Sequence, residues 1–208
     1  MLLFVNMLLF GCSSEIDNKP AAEIKEISKP VEEAKTPVSN TEKAPVTADT
    51  QVASTQWKIK EGSTLGFVGA KVSGDHTGGF KGIDGAVSVA DNAVVAVELT
   101  IDMGTLFADH PKLEGHLKTE DFFNVVEYPT ATFKSTAIQD GKITGVLDLV
   151  GQSKEVTFPA TVEIKDAMAL ISGEFTINRQ VWGIAYPGKP DDLIKDEVLI
   201  KANMSFGM

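Results

Sequence analysis

Catalysis in this chain would most readily run through its three histidines, His76, His110 and His116. His116 lies in GHLKTEDFF, residues 115–123, with Glu120 and Asp121 close behind it and Phe122 and Phe123 ending the stretch. A histidine beside carboxylates is the raw material of a general base or a metal site. The spacing argues against the metal site. His110 and His116 are six apart, on different sides of a helix and not at the i, i+4 spacing of a metal-binding pair. A zinc site needs three or four ligands, and His76 is far away in sequence. No G-x-S-x-G elbow and no glycine-rich phosphate loop before a helix is present. The carboxylate pairs Glu120-Asp121 and Asp191-Asp192 read as solvated surface. The residues therefore predict a non-enzyme without metal or cofactor, a metal-assisted hydrolase being the catalytic alternative. His116 is expected to brace a helix through a backbone hydrogen bond. Arg179, in INR at a strand end, is expected to pair with an acidic residue.

The elements that must position these residues are strands. Period-two alternation recurs from Trp57 onward. It aligns Val95, Val97, Leu99 and Ile101 on one face, then Ala131, Phe133, Ser135 and Ala137, then Ile143, Gly145, Leu147 and Leu149. Further sets are Val156, Phe158, Ala160, Val162 and Ile164, then Ala169, Ile171, Gly173, Phe175 and Ile177, and finally Val198, Ile200, Ala202, Met204 and Phe206. Turn signals at Ala90-Asp91-Asn92, Asp140-Gly141, Gly151-Gln152-Ser153 and Lys165-Asp166 separate them. Eight or nine strands with short connections predict an all-β antiparallel meander, barrel or sandwich. Glycine and alanine among the inward sets favour a barrel with interior space over a solid core. One helix is predicted between strands, over residues 109–123, where Pro111 suits the first turn and Leu113 and Leu117 share a face.

The N-terminal quarter differs. Residues 1–11, MLLFVNMLLFG, are almost wholly apolar, and the sole cysteine, Cys12, follows in LLFGCSS. This is the arrangement of a lipobox, so residues 1–12 are expected to be a lipoprotein signal ending in an acylated Cys12. No Lys or Arg precedes the run, which points to a start further upstream. Residues 13–54 hold four prolines, no aromatic residue and a net charge of −3, and are expected to be a disordered linker. A helix over AAEIKEISK would be marginal at that length. The domain, residues 55–208, keeps −7 of the total −10. Such acidity excludes a general nucleic-acid binder, and a single cysteine excludes an intramolecular disulfide.

Four ordered stretches carry a family resemblance: WKIKEGSTLGFVGAKVSGDHTGGFKGIDGAV, HLKTEDFFNVVEYPTATFKST, ITGVLDLVGQSKEVTFPATV and FTINRQVWGIAY, closed by DEVLIKANMSF. Together they resemble the YceI-like family, bacterial periplasmic proteins whose lipocalin-like barrel binds polyisoprenoid lipids. The resemblance implies an eight-stranded lipocalin-like barrel with a short helical segment and an apolar tunnel that takes a long isoprenoid or quinone-like tail. The expected tunnel lining is Phe67, Phe80, Leu117, Phe122, Phe133, Leu147, Phe158, Phe175 and Trp182, with Phe122 or Phe123 facing the lumen. KVSGDHTGGF and YPGKPDDLIKDE mark a variant subgroup at the tunnel mouth and leave the head group open. Ser13 after Cys12 suggests, by analogy with other lipoproteins, an outer-membrane anchor facing the periplasm. A barrel filled by its own side chains and serving as a protein-interaction module is the alternative, and a homodimer is possible for either.

Overall fold

A computed structural model describes residues 14–27 and 54–208. Cys12 and most of the expected linker, residues 28–53, lie outside the described residues.

The domain is antiparallel β throughout, as its alternation predicts. The strands are β1 Glu23–Glu26, β2 Thr55–Ile59, β3 Thr64–Lys71, β4 Gly74–Ala90, β5 Ala93–Ala108, β6 Thr130–Gln139 and β7 Lys142–Leu149. They continue as β8 Gln152–Pro159, β9 Thr161–Lys165, β10 Met168–Asn178, β11 Gly188–Lys189 and β12 Asp192–Gly207. The main staves run β8, β7, β6, β5, β4, then β3 and β2 end to end, then β12 and β10. β9 continues β8 past Pro159 and pairs with the first half of β10. With β8–β9 and β3–β2 each counted as one stave, ten of the twelve segments build eight staves, and the short β1 and β11 pair with β8 and β12. Pro159 makes the break in β8–β9, because it has no N–H to continue a ladder.

The turns follow local chemistry. Asp91 and Asn92, Asp140 and Gly141, Val150 and Gly151, and Asp166 and Ala167 all have positive φ at two successive residues. This is the type I′ geometry whose twist matches a hairpin. Val150 (φ 50°) is the exception in kind, since a β-branched residue is poorly suited there. A bulge in the β4–β5 pairing passes over Val95. Val95 is therefore 50% exposed, while Val94, Val97 and Ile101 are buried.

Between β5 and β6 sits α1, Pro111–Leu117, capped by His110, whose ring Nδ1 accepts from the Lys112 N–H at 3.2 Å. It is shorter than the 109–123 expected from the sequence. The Thr119 N–H and hydroxyl both donate to the His116 carbonyl, at 3.0 and 2.8 Å, which ends the helix there. Asn124 then turns at φ 41°.

Residues 14–27 correct the expectation of disorder at the start of the linker. Glu15–Asn18 form a 3-10 turn capped by Ser14, and Glu23–Glu26 form β1, antiparallel to β8. Composition alone cannot bury enough area to order this segment, but the barrel supplies the missing surface. Ile16 is 4% exposed against Val68, Ala70 and Leu199, which point out of the barrel and would otherwise lie bare.

Candidate functional site

The inward faces of the staves leave a cavity of about 350 Å³ running through the barrel. Of its lining, only Lys71, His76 and Arg179 are polar. All three belong to one end, where the β3–β4 hairpin, α1 and the chain from β10 into β12 meet. The opposite end is lined by apolar residues that include Ile143, Met204 and Phe206. The cavity is an apolar chamber with one polar end.

Eight of the nine residues expected from the sequence line it: Phe67, Phe80, Leu117, Phe122, Phe133, Leu147, Phe158 and Phe175. Each sits on the face its alternation assigns, or on the inner side of α1 and its exit. Both Phe122 and Phe123 line the chamber, because the turns after α1 fold the chain back over the barrel end. Trp182 does not line it. It is wholly buried on a 3-10 turn, Arg179–Trp182, which Gly183 ends in the left-handed conformation at φ 77°. That turn carries the indole out of the strand's alternation and into the packed wall. The Gln152 side-chain amide donates to the Trp182 carbonyl at 3.1 Å and ties the turn to β8.

The rings are ordered by mutual contact. Phe158 stacks on Phe175 with centroids 4.2 Å apart, and Phe133 tilts against Phe158 at 5.6 Å. Phe67, Phe80 and Phe123 form a second chain, at 6.1 and 6.4 Å. Some glycines of the inward sets make room for these rings, not for the chamber. A Cβ on Gly78 would meet the Phe67 ring at 2.3 Å, and one on Gly145 would meet Phe133 at 2.5 Å. Gly69 is different: a Cβ there would touch nothing within 4 Å, and the residue borders the cavity.

Each histidine has its own partner. His76 Nδ1 lies 3.1 Å from Asp109, and His110 caps α1. His116 Nε2 lies 2.7 Å from the Asp121 carboxylate, with its ring edge-on to Phe122 and Tyr186 at 5.0 and 4.9 Å. The brace expected of His116 therefore runs to a side chain, not to the backbone, and the aromatic packing fixes the ring over the chamber end. Burial works against ionisation of Asp109, but the Thr77 N–H and His76 prevail and hold its carboxyl below the usual range. Among the described residues no group of three or more His, Cys, Asp and Glu is placed to hold a metal.

At the polar end Arg179 pairs with an acidic residue, Asp196, as its sequence reading expects, while Asp192 departs from its reading as solvated surface. Arg179 is 5% exposed and spends its guanidinium mainly on carbonyls. It donates to Ile184 at 2.6 Å and to Lys195 at 3.1 Å, with Asp196 more distant at 3.4 Å. Burial lowers its pKa from the usual arginine value, and Asp196 offsets part of that. Asp192 is no free surface carboxylate. It accepts from Lys71 Nζ at 2.6 Å and from the Ser73 N–H and hydroxyl at 2.9 and 3.0 Å. The hydrogen bond from Lys71 is the chief reason its pKa falls to about 2. The role of Asp192 has no sequence signature, since Lys71 and Ser73 are brought to it from the β3–β4 hairpin.

Comparison with known proteins places this geometry. The model of the YceI-like domain matches residues 57–206. A UPF0312 protein of Pseudomonas putida (strain W619) is 29% identical over 170 residues, covering 73% of this chain and 88% of its own. Another, from Enterobacter sp. (strain 638), is 38% identical over 89 residues, 40% of this chain and 46% of its own. Among solved structures, Burkholderia cenocepacia BcnA superposes with a TM-score of 0.62 at 25% identity, over 69% of this chain and 95% of that one. A polyisoprenoid binding domain from Saccharophagus degradans, implicated in plant cell wall breakdown, superposes with a TM-score of 0.60 at 14% identity, over 73% and 97%. The chain belongs to the YceI-like domain family.

Proposed function

We propose that the barrel binds the apolar chain of an isoprenoid or similar long-chain lipid, and sequesters or carries it in the periplasm. The observation that carries this reading is the chamber, whose lining is apolar except for Lys71, His76 and Arg179 at one end. Hydrocarbon is the chemistry that such a wall favours. Each buried methylene is worth about 0.8 kcal/mol, so one five-carbon prenyl unit contributes about 4 kcal/mol before the costs of association. A few units suffice without a hydrogen bond. The polar end would face the lipid's head group or water. The likeness to a polyisoprenoid binding domain supports the same ligand class by fold alone. No catalytic step is assigned, in keeping with a binding fold.

The lipobox LLFGCSS supports a second part of the reading: Cys12 is acylated and holds the protein to a membrane facing the periplasm, with Ser13 favouring the outer one. One measurement tests both parts. Full-length protein expressed in a bacterial envelope is purified, its organic extract is analysed by mass spectrometry, and its intact mass is recorded. The expected result is a stoichiometric long-chain lipid in the extract and a diacylglyceryl or triacyl mass increment on Cys12. An extract without lipid overturns the ligand reading and leaves the interaction module in its place. An unmodified Cys12 overturns the anchor.

A further inference from the structure

We infer that residues 14–26 are a strap that holds the acylated end of the chain at the mouth of the cavity, so that the barrel sits mouth-first on a phospholipid bilayer. The inference rests on the acylation of Cys12 proposed above. If residues 13–54 were all tether, 42 residues of flexible chain would separate anchor and barrel, with a mean span of about 35 Å. The contacts of residues 14–26 rule out that arrangement.

The strap crosses the barrel in sheet order. Ser14 Oγ lies 3.1 and 3.0 Å from the Asp75 carboxylate at the start of β4, next to the lining residue His76. Ile16 is buried on β3 and β12. Glu15 pairs with Lys201, Asp17 with Lys195 at 2.6 Å, and Lys19 with Glu174 of β10. The Thr176 N–H donates to the Pro20 carbonyl at 2.9 Å, and the Ala22 N–H donates to the Thr176 carbonyl at 2.8 Å. β1 then fills the seam between β10 and β8, and Glu26 meets the buried Lys154 at 2.6 Å. Ser14 is thus fixed beside the mouth. Cys12 is two residues away, a reach of about 7 Å.

The rim is suited to what an anchor so placed would meet. Val72, at the tip between β3 and β4, is 76% exposed, and Leu193, at the start of β12, is 51% exposed. The Val72 N–H donates to the Leu193 carbonyl at 3.2 Å, so the two exposed apolar residues are neighbours on the rim. Its occupant is the acyl boundary of the bilayer that holds the Cys12 lipid. A lipid would then pass between membrane and chamber without crossing open water.

The test uses the full-length acylated protein in vesicles of phosphatidylethanolamine and phosphatidylglycerol. Its acylated cysteine is unreactive, so a bimane probe can be placed singly at Val72→Cys on the rim or at Gln139→Cys at the opposite end. The expected result is loss of iodide quenching and gain of quenching by nitroxide-labelled lipid at Val72→Cys, with neither at Gln139→Cys. Loosening the strap with Ile16→Glu, or with the surface pair Lys195→Asp and Lys201→Asp if the first fails to fold, should restore iodide quenching at Val72→Cys while the protein stays on the vesicles. Two probes equally open to iodide, or a shielded Gln139→Cys, overturn the orientation while leaving acylation intact. Shielding that survives a loosened strap overturns the strap as its cause. An unmodified Cys12 in the intact mass overturns anchor and orientation together.

Discussion

Two inward-facing glycines that look alike in sequence differ in the space around them. Gly78 has no room for a methyl group, because the Phe67 ring and the Phe107 carbonyl lie at 2.3 and 2.5 Å from its Cβ position. Gly78→Ala should destabilise the fold by about 1–3 kcal/mol through overpacking, read as a lower denaturant midpoint. Gly69 faces open cavity. Gly69→Leu should leave the midpoint nearly unchanged and deplete the lipid recovered in organic extract. A second residue-scale prediction concerns Asp192, whose pKa falls from the usual 3.8 to about 2 chiefly through the hydrogen bond from Lys71. A carboxyl depressed in the folded state stabilises that state above its unfolded pKa and ceases to do so as pH falls through the folded one. The difference in melting temperature between the native protein and Asp192→Asn should therefore be constant above about pH 5 and close between about pH 4 and pH 2. A difference that persists at pH 2 would mean that packing, not charge, holds the rim hairpins.

At the scale of elements, β1 is the informative piece. Four residues of strand, EIKE, are too few to be stable alone. They order because β8 and β10 diverge at the Pro159 break and leave a ladder unpaired. β1 supplies the missing partner, and the Ile16 side chain is buried one turn earlier. Removing residues up to 27 should expose the Thr176 amide, now hydrogen-bonded to the Pro20 carbonyl. Its hydrogen exchange should quicken by orders of magnitude, while the amides of the central strands β5 and β6 keep their protection. Unchanged exchange at Thr176 would show that the seam closes without the strap. The helix makes a similar point. Pro111 and the His110 cap start it where the sequence indicates, but the double donation from Thr119 ends it early.

For the whole molecule, the chamber is a void that a fully packed core would not tolerate. Its apolar walls can be covered by ligand or left to partial collapse. Ligand that binds the folded chain alone should raise stability by about 2.7 kcal/mol at a hundred times its dissociation constant. Stripping lipid by denaturation in detergent and refolding should lower the melting temperature, and adding a long-chain isoprenoid back should restore it. An unchanged melting temperature on both steps would favour the self-filled interaction module.

The fold and most of the chamber wall were legible in the sequence. Period-two alternation says which side chains share a face, and type I′ turn residues say where strands reverse, so Phe133, Leu147, Phe158 and Phe175 could be placed inward from local pattern alone. Three things were decided only by tertiary structure. Trp182 left the cavity because Gly183 ends a short turn that breaks the strand's parity. His116 found Asp121 and Tyr186 because the chain after α1 folds back over the barrel end. Residues 14–26 became a strap, although their composition predicts disorder, because outward-facing Val68, Ala70 and Leu199 and an open strand edge await them on the barrel. Alternation and turn propensity are properties of neighbours in sequence, and a sequence states them directly. Burial of a polar-looking segment depends on surface contributed by residues more than fifty positions away, which only the closed barrel brings to it.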